Sequence, residues 1–130
     1  MIVLDASAAA DWLLQTPQGL RIERRIFSRN ESLHAPHLID VEVAQVLRRL
    51  VREGKVSGNR AAQVIQDLVD LRITRYPHFV LLPRIWQLRN NLSAYDAAYV
   101  ALAEELDATL VSRDSGLSAA PGHRASVELF

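Results

Sequence analysis

The sequence contains no cysteine, so neither a disulfide framework nor a thiolate metal site is available. That absence suits a chain kept in the cytoplasm. No apolar run approaches the roughly 18 residues needed to cross a bilayer. The opening Met1-Ile2-Val3-Leu4-Asp5 has no basic segment and reaches an acid after three apolar residues, which predicts neither a signal peptide nor a membrane span. Lysine is almost missing: of 15 basic residues only Lys55 is Lys and the rest are Arg. Arg suits bidentate contacts to phosphate or carboxylate, although a GC-rich genome gives the same bias. There is no excess of either charge, since 15 basic side chains balance 15 acidic ones. This excludes a simple polycation that coats nucleic acid, but not a protein that handles phosphates through local clusters. Repeats, low-complexity tracts and linkers are also lacking.

What is present is an ordinary globular composition, 49% hydrophobic and 23% charged over 130 residues. That length fits one domain, spanning 1–130, with a single core. Ile2-Val3-Leu4 reads as a short buried strand ended by Asp5, and Ser7 can cap a helix over Ala8 to Leu14. Pro17 starts a second helix reaching about Arg29, and Ser32 to Ala35 is a short strand ended by Pro36. From Leu38 to Glu53, Ile39, Val43, Val46, Leu47 and Leu50 recur at helical steps, and Gly54 is a natural stop. Ser57 caps another helix bearing Ala61, Val64, Ile65, Leu68 and Leu71. The run from Ile73 is strand-like until Pro77, and Pro83 opens a short helix through Leu88. Ser93 caps a helix whose predicted buried stripe is Tyr95, Tyr99, Leu102 and Leu106. Thr109 to Val111 is a core strand followed closely by Asp114, and Val127 to Leu129 is a last edge strand. Short apolar strands alternating with helices predict an α/β fold, a central parallel sheet of four to five strands with helices on both faces.

Four carboxylates stand out by position. Asp5 and Asp114 lie just past the carboxyl ends of predicted core strands, the edge where open parallel sheets bind ligands. Asp96 is in the first turn of its helix, and Glu42 borders its helix's apolar stripe, about 100° around from Val43. Each has a plain structural alternative. Asp5 and Asp114 can cap the helices that follow, Asp96 can complete a capping box with Ser93, and Glu42 can lie on a solvated face. Together they can converge. Two carboxylates about 4 Å apart repel by roughly 4 kcal/mol at an effective dielectric near 20, so a cluster of them calls for a cation or for protons. An all-oxygen donor set favours Mg²⁺ or Mn²⁺ over zinc, and such sites are typical of enzymes acting on phosphates.

Val3-Leu4-Asp5-Ala6-Ser7-Ala8, Pro36 with Glu42-Val43-Ala44, Ser93-Ala94-Tyr95-Asp96-Ala97-Ala98-Tyr99 and Leu110-Val111-Ser112-Arg113-Asp114 occur in the order found in PIN domains. The length, and the stretch Ala94 to Ala103, are similar to VapC-type toxins of bacterial toxin–antitoxin pairs. The resemblance covers essentially the whole chain. It implies a PIN-like fold and a Mg²⁺- or Mn²⁺-dependent endoribonuclease in which Asp5, Asp96 and Asp114 hold the metal. Glu42 would reach it through water or help place a second ion. Ser7 and Ser112 match supporting hydroxyls, Ser112 standing where the family more often has Thr. Two departures are visible: Gln45 replaces a frequent Asn, and Ser115 to Ala119 lacks the further acid many relatives carry, which puts a tightly held second metal in doubt. The expected reaction is in-line attack of a metal-activated water on an RNA phosphodiester, releasing the 3′-oxygen without a covalent intermediate. Expected partners are RNA, a VapB-type antitoxin offering apolar anchors and an Arg, and a second copy in a homodimer, the helices at 38–53 and 57–72 helping to form both contacts.

Arg48, Arg49 and Arg52 share a helix with Glu42, Arg49 on its side, and Arg113 precedes Asp114; Arg49 and Arg113 are candidate phosphate contacts. Arg21, Arg24 and Arg25 form another cluster. For each cluster a solvated face is the plain alternative. His34 and His37 lack further soft ligands and do not suggest zinc. Trp12 and Trp86 read as core or interface residues. Among competing readings, a phosphoacceptor domain would want paired acids after its first strand and a nearby Lys, neither present. A DNA-directed nuclease on the same fold, and a non-catalytic binding or regulatory module, are the remaining alternatives.

Overall fold

The computed structural model describes all 130 residues. Along the chain the elements are β1 (Ile2–Leu4), α1 (Ala6–Leu14), α2 (Pro17–Phe27), β2 (Leu33–Pro36), α3 (Leu38–Arg52), α4 (Gly58–Asp70) and β3 (Ile73–Tyr76). A 3₁₀ turn (Phe79–Leu81) then leads to α5 (Leu82–Gln87), α6 (Ala94–Leu106), β4 (Thr109–Ser112), α7 (Ser115–Ala119) and β5 (Val127–Leu129). The strands form one five-stranded sheet in the order β3-β2-β1-β4-β5, every pair parallel. From β1 the chain works outward to β2 and β3, then returns to the other side of β1 for β4 and β5. The crevice between the carboxyl ends of β1 and β4 is therefore the topological switch point, the place where such sheets bind ligands.

Parallel strands are covered on both faces, and β1 follows from that: Ile2, Val3 and Leu4 are all fully buried. One core cluster also takes in Ile22, Ile39, Val43, Leu47, Val64, Leu102, Leu110 and Leu117. Gly19 lets α2 cross close to α1: a Cβ there would come 1.9 Å from the backbone oxygen of Asp11.

The fold departs from the sequence expectations in several places. Helix α1 begins at Ala6 with Asp5, not Ser7, as its N-cap; Asp5 Oδ1 accepts the Ala8 N–H at 2.9 Å. Both side chains are acceptable caps, and the extended backbone at Asp5 decides. Pro36 is inside β2 rather than after it, because β1 pairs only with Leu33 and His34, so the proline's missing N–H removes no bond on that side. Helix α2 stops at Phe27. The predicted stripe on α6 is too narrow: Ala97 through Ala103 are buried on every side, while Tyr95 is 62% exposed. A run of alanines lets the helix be enclosed without large side chains, a burial that hydrophobic periodicity cannot register. Trp12 is buried in the core and Trp86 lies on the surface.

Candidate functional site

The switch-point crevice is a cleft of about 240 Å³ lined by Asp5, Ala6, Ser7, Glu42, Gln45, Val46, Asp96, Tyr99 and Asp114. All four singled-out acids are on its walls. A larger apolar hollow of about 520 Å³ lies elsewhere, around Trp12, Phe27, Leu33 and Ile73, and carries no group of convergent acids.

Asp5 and Asp114 follow strand ends, Asp96 is in the first turn of α6, and Glu42 comes from within α3. Asp5 follows β1 and is 5% exposed. Its Oδ1 accepts from Ser7 Oγ at 2.7 Å and from the Ala8 N–H, and its Oδ2 accepts from Ser112 Oγ. Three of the roughly four acceptor positions of this carboxylate are thus used by the protein. Ser112 Oγ also accepts the Asp114 N–H at 2.9 Å, so one hydroxyl at the end of β4 organises two acids. Asp114 caps α7, accepting the Gly116 N–H at 2.8 Å. Asp96 stands in the first turn of α6, whose N-cap Ser93 accepts its N–H at 3.1 Å. Glu42, on α3, accepts the Tyr99 hydroxyl at 2.6 Å through Oε1.

The electrostatics are those of acids held together without a counter-charge. Burial pushes the Asp5 carboxyl up, against the pull of Ser112, Ala8 and Ser7, and the nearby Asp96 charge adds to the rise. Burial also raises Glu42, opposed by the Tyr99 hydroxyl and assisted by Asp96. Asp96 is raised by burial and then by the charge of Asp114, with Ser93 opposing. The Tyr99 phenol is driven far up by burial and its acidic neighbours, so it remains a donor. No Arg or Lys forms an ion pair with any of the four acids. No three His, Asp or Glu side chains are arranged to chelate an ion as they stand.

The other sequence candidates divide. Ser7 and Ser112 both bond Asp5, and Ser7 Oγ also accepts the Arg113 N–H at 3.2 Å. Gln45 lines the cleft, and Arg49 is exposed one turn further along α3. Arg113 is turned to Asp11, Nε to Oδ2 3.2 Å, rather than to the acids. The Arg21–Arg24–Arg25 cluster does not act as a unit: Arg25 is a structural clamp on Glu128 and Glu31. His34 is held between Ser32 and Tyr76, away from His37, which faces His78 instead. Tyr99, like Val46, lines the cleft although sequence reading took it for core alone. Its position three residues after Asp96 on one helix face was the available signal.

A parallel sheet with an acidic cleft at its switch point defines a recognisable class, and comparison with known proteins agrees. The PIN domain family model matches residues 2–122. The chain is 47% identical over 118 residues to Ribonuclease VapC9 of Mycobacterium tuberculosis, covering 91% of this chain and 89% of that protein. It is 40% identical over 129 residues to Ribonuclease VapC12 of the same organism, covering 99% and 98%. Among solved structures, Mycobacterium tuberculosis VapC20, described as a sarcin-ricin loop cleaving toxin, matches with a TM-score of 0.70 at 17% identity, covering 95% of this chain and 97% of that one. This chain belongs to the PIN domain family, on the branch of the VapC ribonucleases.

Proposed function

We propose that this chain is a divalent-cation-dependent endoribonuclease, acting in the cytoplasm as the toxin of a toxin–antitoxin pair. The observation that carries the reading is the convergence of Asp5, Glu42, Asp96 and Asp114 on one switch-point cleft with no cationic side chain among them. Carboxylates made hard to ionise by burial and by one another are suited to a hard divalent cation, and the donor set is all oxygen, which fits Mg²⁺ or Mn²⁺. Asp5, Asp96 and Asp114 would hold the ion, with Glu42 as the outer member. When bound, the cation supplies Lewis-acid polarisation of the phosphodiester and stabilises negative charge on the leaving oxygen. The chain's own contributions are distinct from that. Ser7 and Ser112 orient Asp5, and Ser112 sets the backbone of Asp114. Glu42 Oε2, which has no protein hydrogen bond, orients the attacking water and can take up its proton, a task suited to a carboxylate with raised proton affinity.

RNA is the substrate class favoured by kinship to proteins named ribonucleases. Arg49, reached from the cleft along the α3 face through Gln45, is placed to meet a backbone phosphate. Arg113 is the weaker candidate, since Asp11 engages it. The chain acts as one domain. Homodimerisation is supported by an exposed apolar face formed by Phe79, Val80, Leu82 and Trp86. A VapB-type antitoxin finds an apolar seat in the groove between α3 and α4, where Val41, Ala44, Ile65 and Val69 are exposed. The solved VapBC2 complex of Rickettsia felis, matched with a TM-score of 0.70 at 14% identity and covering 99% of this chain and 98% of that one, is such a pair bound to a promoter DNA fragment.

The test is cleavage of total RNA by purified protein, with 5′ ends mapped, in Mn²⁺ or Mg²⁺ and in chelator. Discrete cation-dependent cuts abolished by Asp5→Asn and by Asp96→Asn are expected. Cutting that continues undiminished in either variant sinks the assignment.

A further inference from the structure

Three of the cleft's acids, Asp5, Asp114 and Glu42, have carboxylates tied to the protein by a hydroxyl or a backbone N–H, and the tie on Glu42 is of a different kind. The hydroxyls holding Asp5 come from Ser7, two residues on, and from Ser112 on the paired strand β4; Asp114 is held by its own helix start. Glu42 is held by a side chain from the opposite wall of the cleft. Tyr99 is 2% exposed, part of the hydrophobic core, and its hydroxyl donates to Glu42 Oε1 at 2.6 Å. That is Glu42's one hydrogen bond to the protein, and it joins α3 to α6 across 57 residues of sequence.

Resting on the proposed function of this cleft, we infer that Tyr99 is the positioning residue that fixes Glu42, holding Oε1 from the rigid wall of α6 so that Oε2 alone is presented to cation-bound water and substrate. A glutamate has three rotatable side-chain torsions, and on the border of a helix stripe nothing else confines them. A short hydrogen bond from an immobile phenol removes that freedom before substrate arrives, which is what a positioned base or outer ligand requires. The same phenol places Glu42 and Asp96 in a fixed relation, because Tyr99 and Asp96 are on one face of α6. A tyrosine used only as core filling would need its hydroxyl satisfied but would not need a cleft carboxylate to do it.

Tyr99→Phe tests this, since it deletes one oxygen and keeps the ring. Mn²⁺ binding to the purified full chain without RNA, read by calorimetry, is expected to weaken about tenfold or more. In cleavage assays kcat is expected to fall at least tenfold with KM for RNA little changed. The decisive comparison repeats the substitution in a Glu42→Gln background, where Mn²⁺ affinity should change by less than about twofold. Equal losses in both backgrounds would assign Tyr99 a purely structural role and overturn the inference. So would a Tyr99→Phe protein that binds Mn²⁺ and cleaves like wild type. A wild-type protein that binds no Mn²⁺ and cuts no RNA would instead overturn the proposed function, and this inference with it. Thermal unfolding of Tyr99→Phe provides the control for folding.

Discussion

Ser112 donates its hydroxyl to Oδ2 of Asp5 and, through the same oxygen, accepts the backbone N–H of Asp114. The two residues close adjacent parallel strands, and 107 positions separate them in sequence. One fully buried hydroxyl therefore sets the spacing between two of the cleft's acids.

Ser112→Ala leaves a buried carboxylate oxygen and a backbone N–H each short of a partner. The expected cost is about 1–3 kcal/mol in urea denaturation, together with at least a tenfold loss of cleavage. Ser112→Thr restores the hydroxyl and should recover most of the activity. Wild-type cleavage by Ser112→Ala would show that the pairing is dispensable.

The raised proton affinities of Asp5, Glu42 and Asp96 fix the direction of a pH effect. Each binds its proton more tightly in the folded chain than in the unfolded one, so stability without metal rises as pH falls from neutral through the raised values. Glu31 and Glu104 run the other way: their Arg partners hold them low. The stability they contribute is present above about pH 4.5 and is lost as pH falls through their lowered values. Melting temperatures in chelator should thus climb as pH falls from neutral through the raised values of Asp5, Glu42 and Asp96, and the share contributed by Glu31 and Glu104 should be lost as pH falls through their lowered values. Asp5→Asn, which keeps an N-capping side chain, should flatten the climb. Added Mn²⁺ should raise the melting temperature at pH 8 more than at pH 5.

Much of the site was legible because its acids occupy places the chain pattern marks: two strand ends and a helix's first turn. The parallel sheet followed from the alternation of short apolar runs with helices; the order of its strands, β3-β2-β1-β4-β5, did not. What was not legible depended on contacts between distant segments. Tyr95 and Tyr99 belong to the same predicted stripe, yet one points to solvent and the other into the cleft, because the alanines of α6 are buried on all sides. The Arg21–Arg24–Arg25 run looked like one basic cluster; only the approach of β5 singles out Arg25.

That residue gives a prediction about stability alone. Arg25 Nε and Nη2 grip both oxygens of Glu128, and Nη1 reaches Glu31 at 2.8 Å. The clamp fastens edge strand β5 to α2. Arg25→Ala should cost about 1–2 kcal/mol, less at high salt, while cleavage per folded molecule stays unchanged. A change in cleavage with no change in unfolding would contradict a structural role.

The exposed face of the 3₁₀ turn and α5 bears on assembly. Phe79 and Trp86 are 70% and 68% exposed; the proposed homodimer through this face predicts that the wild type sediments as a dimer and that replacing both by Ser gives monomers without lowering the monomer's melting temperature. A double variant that still sediments as a dimer places the contact elsewhere.

Because β1 is the central strand, made first and paired last on its β4 side, the cleft has no partial form. Asp5 leaves the ribosome early and waits, without its Ser112 partner, until β4 is synthesised and slots in beside it. A growing chain of this topology therefore lacks Ser112 and Asp114, and with them one side of the crevice, until residues 109–114 have been made. On the proposed assignment of the cleft, a nuclease built this way gains its complete set of acids only when that last pairing forms.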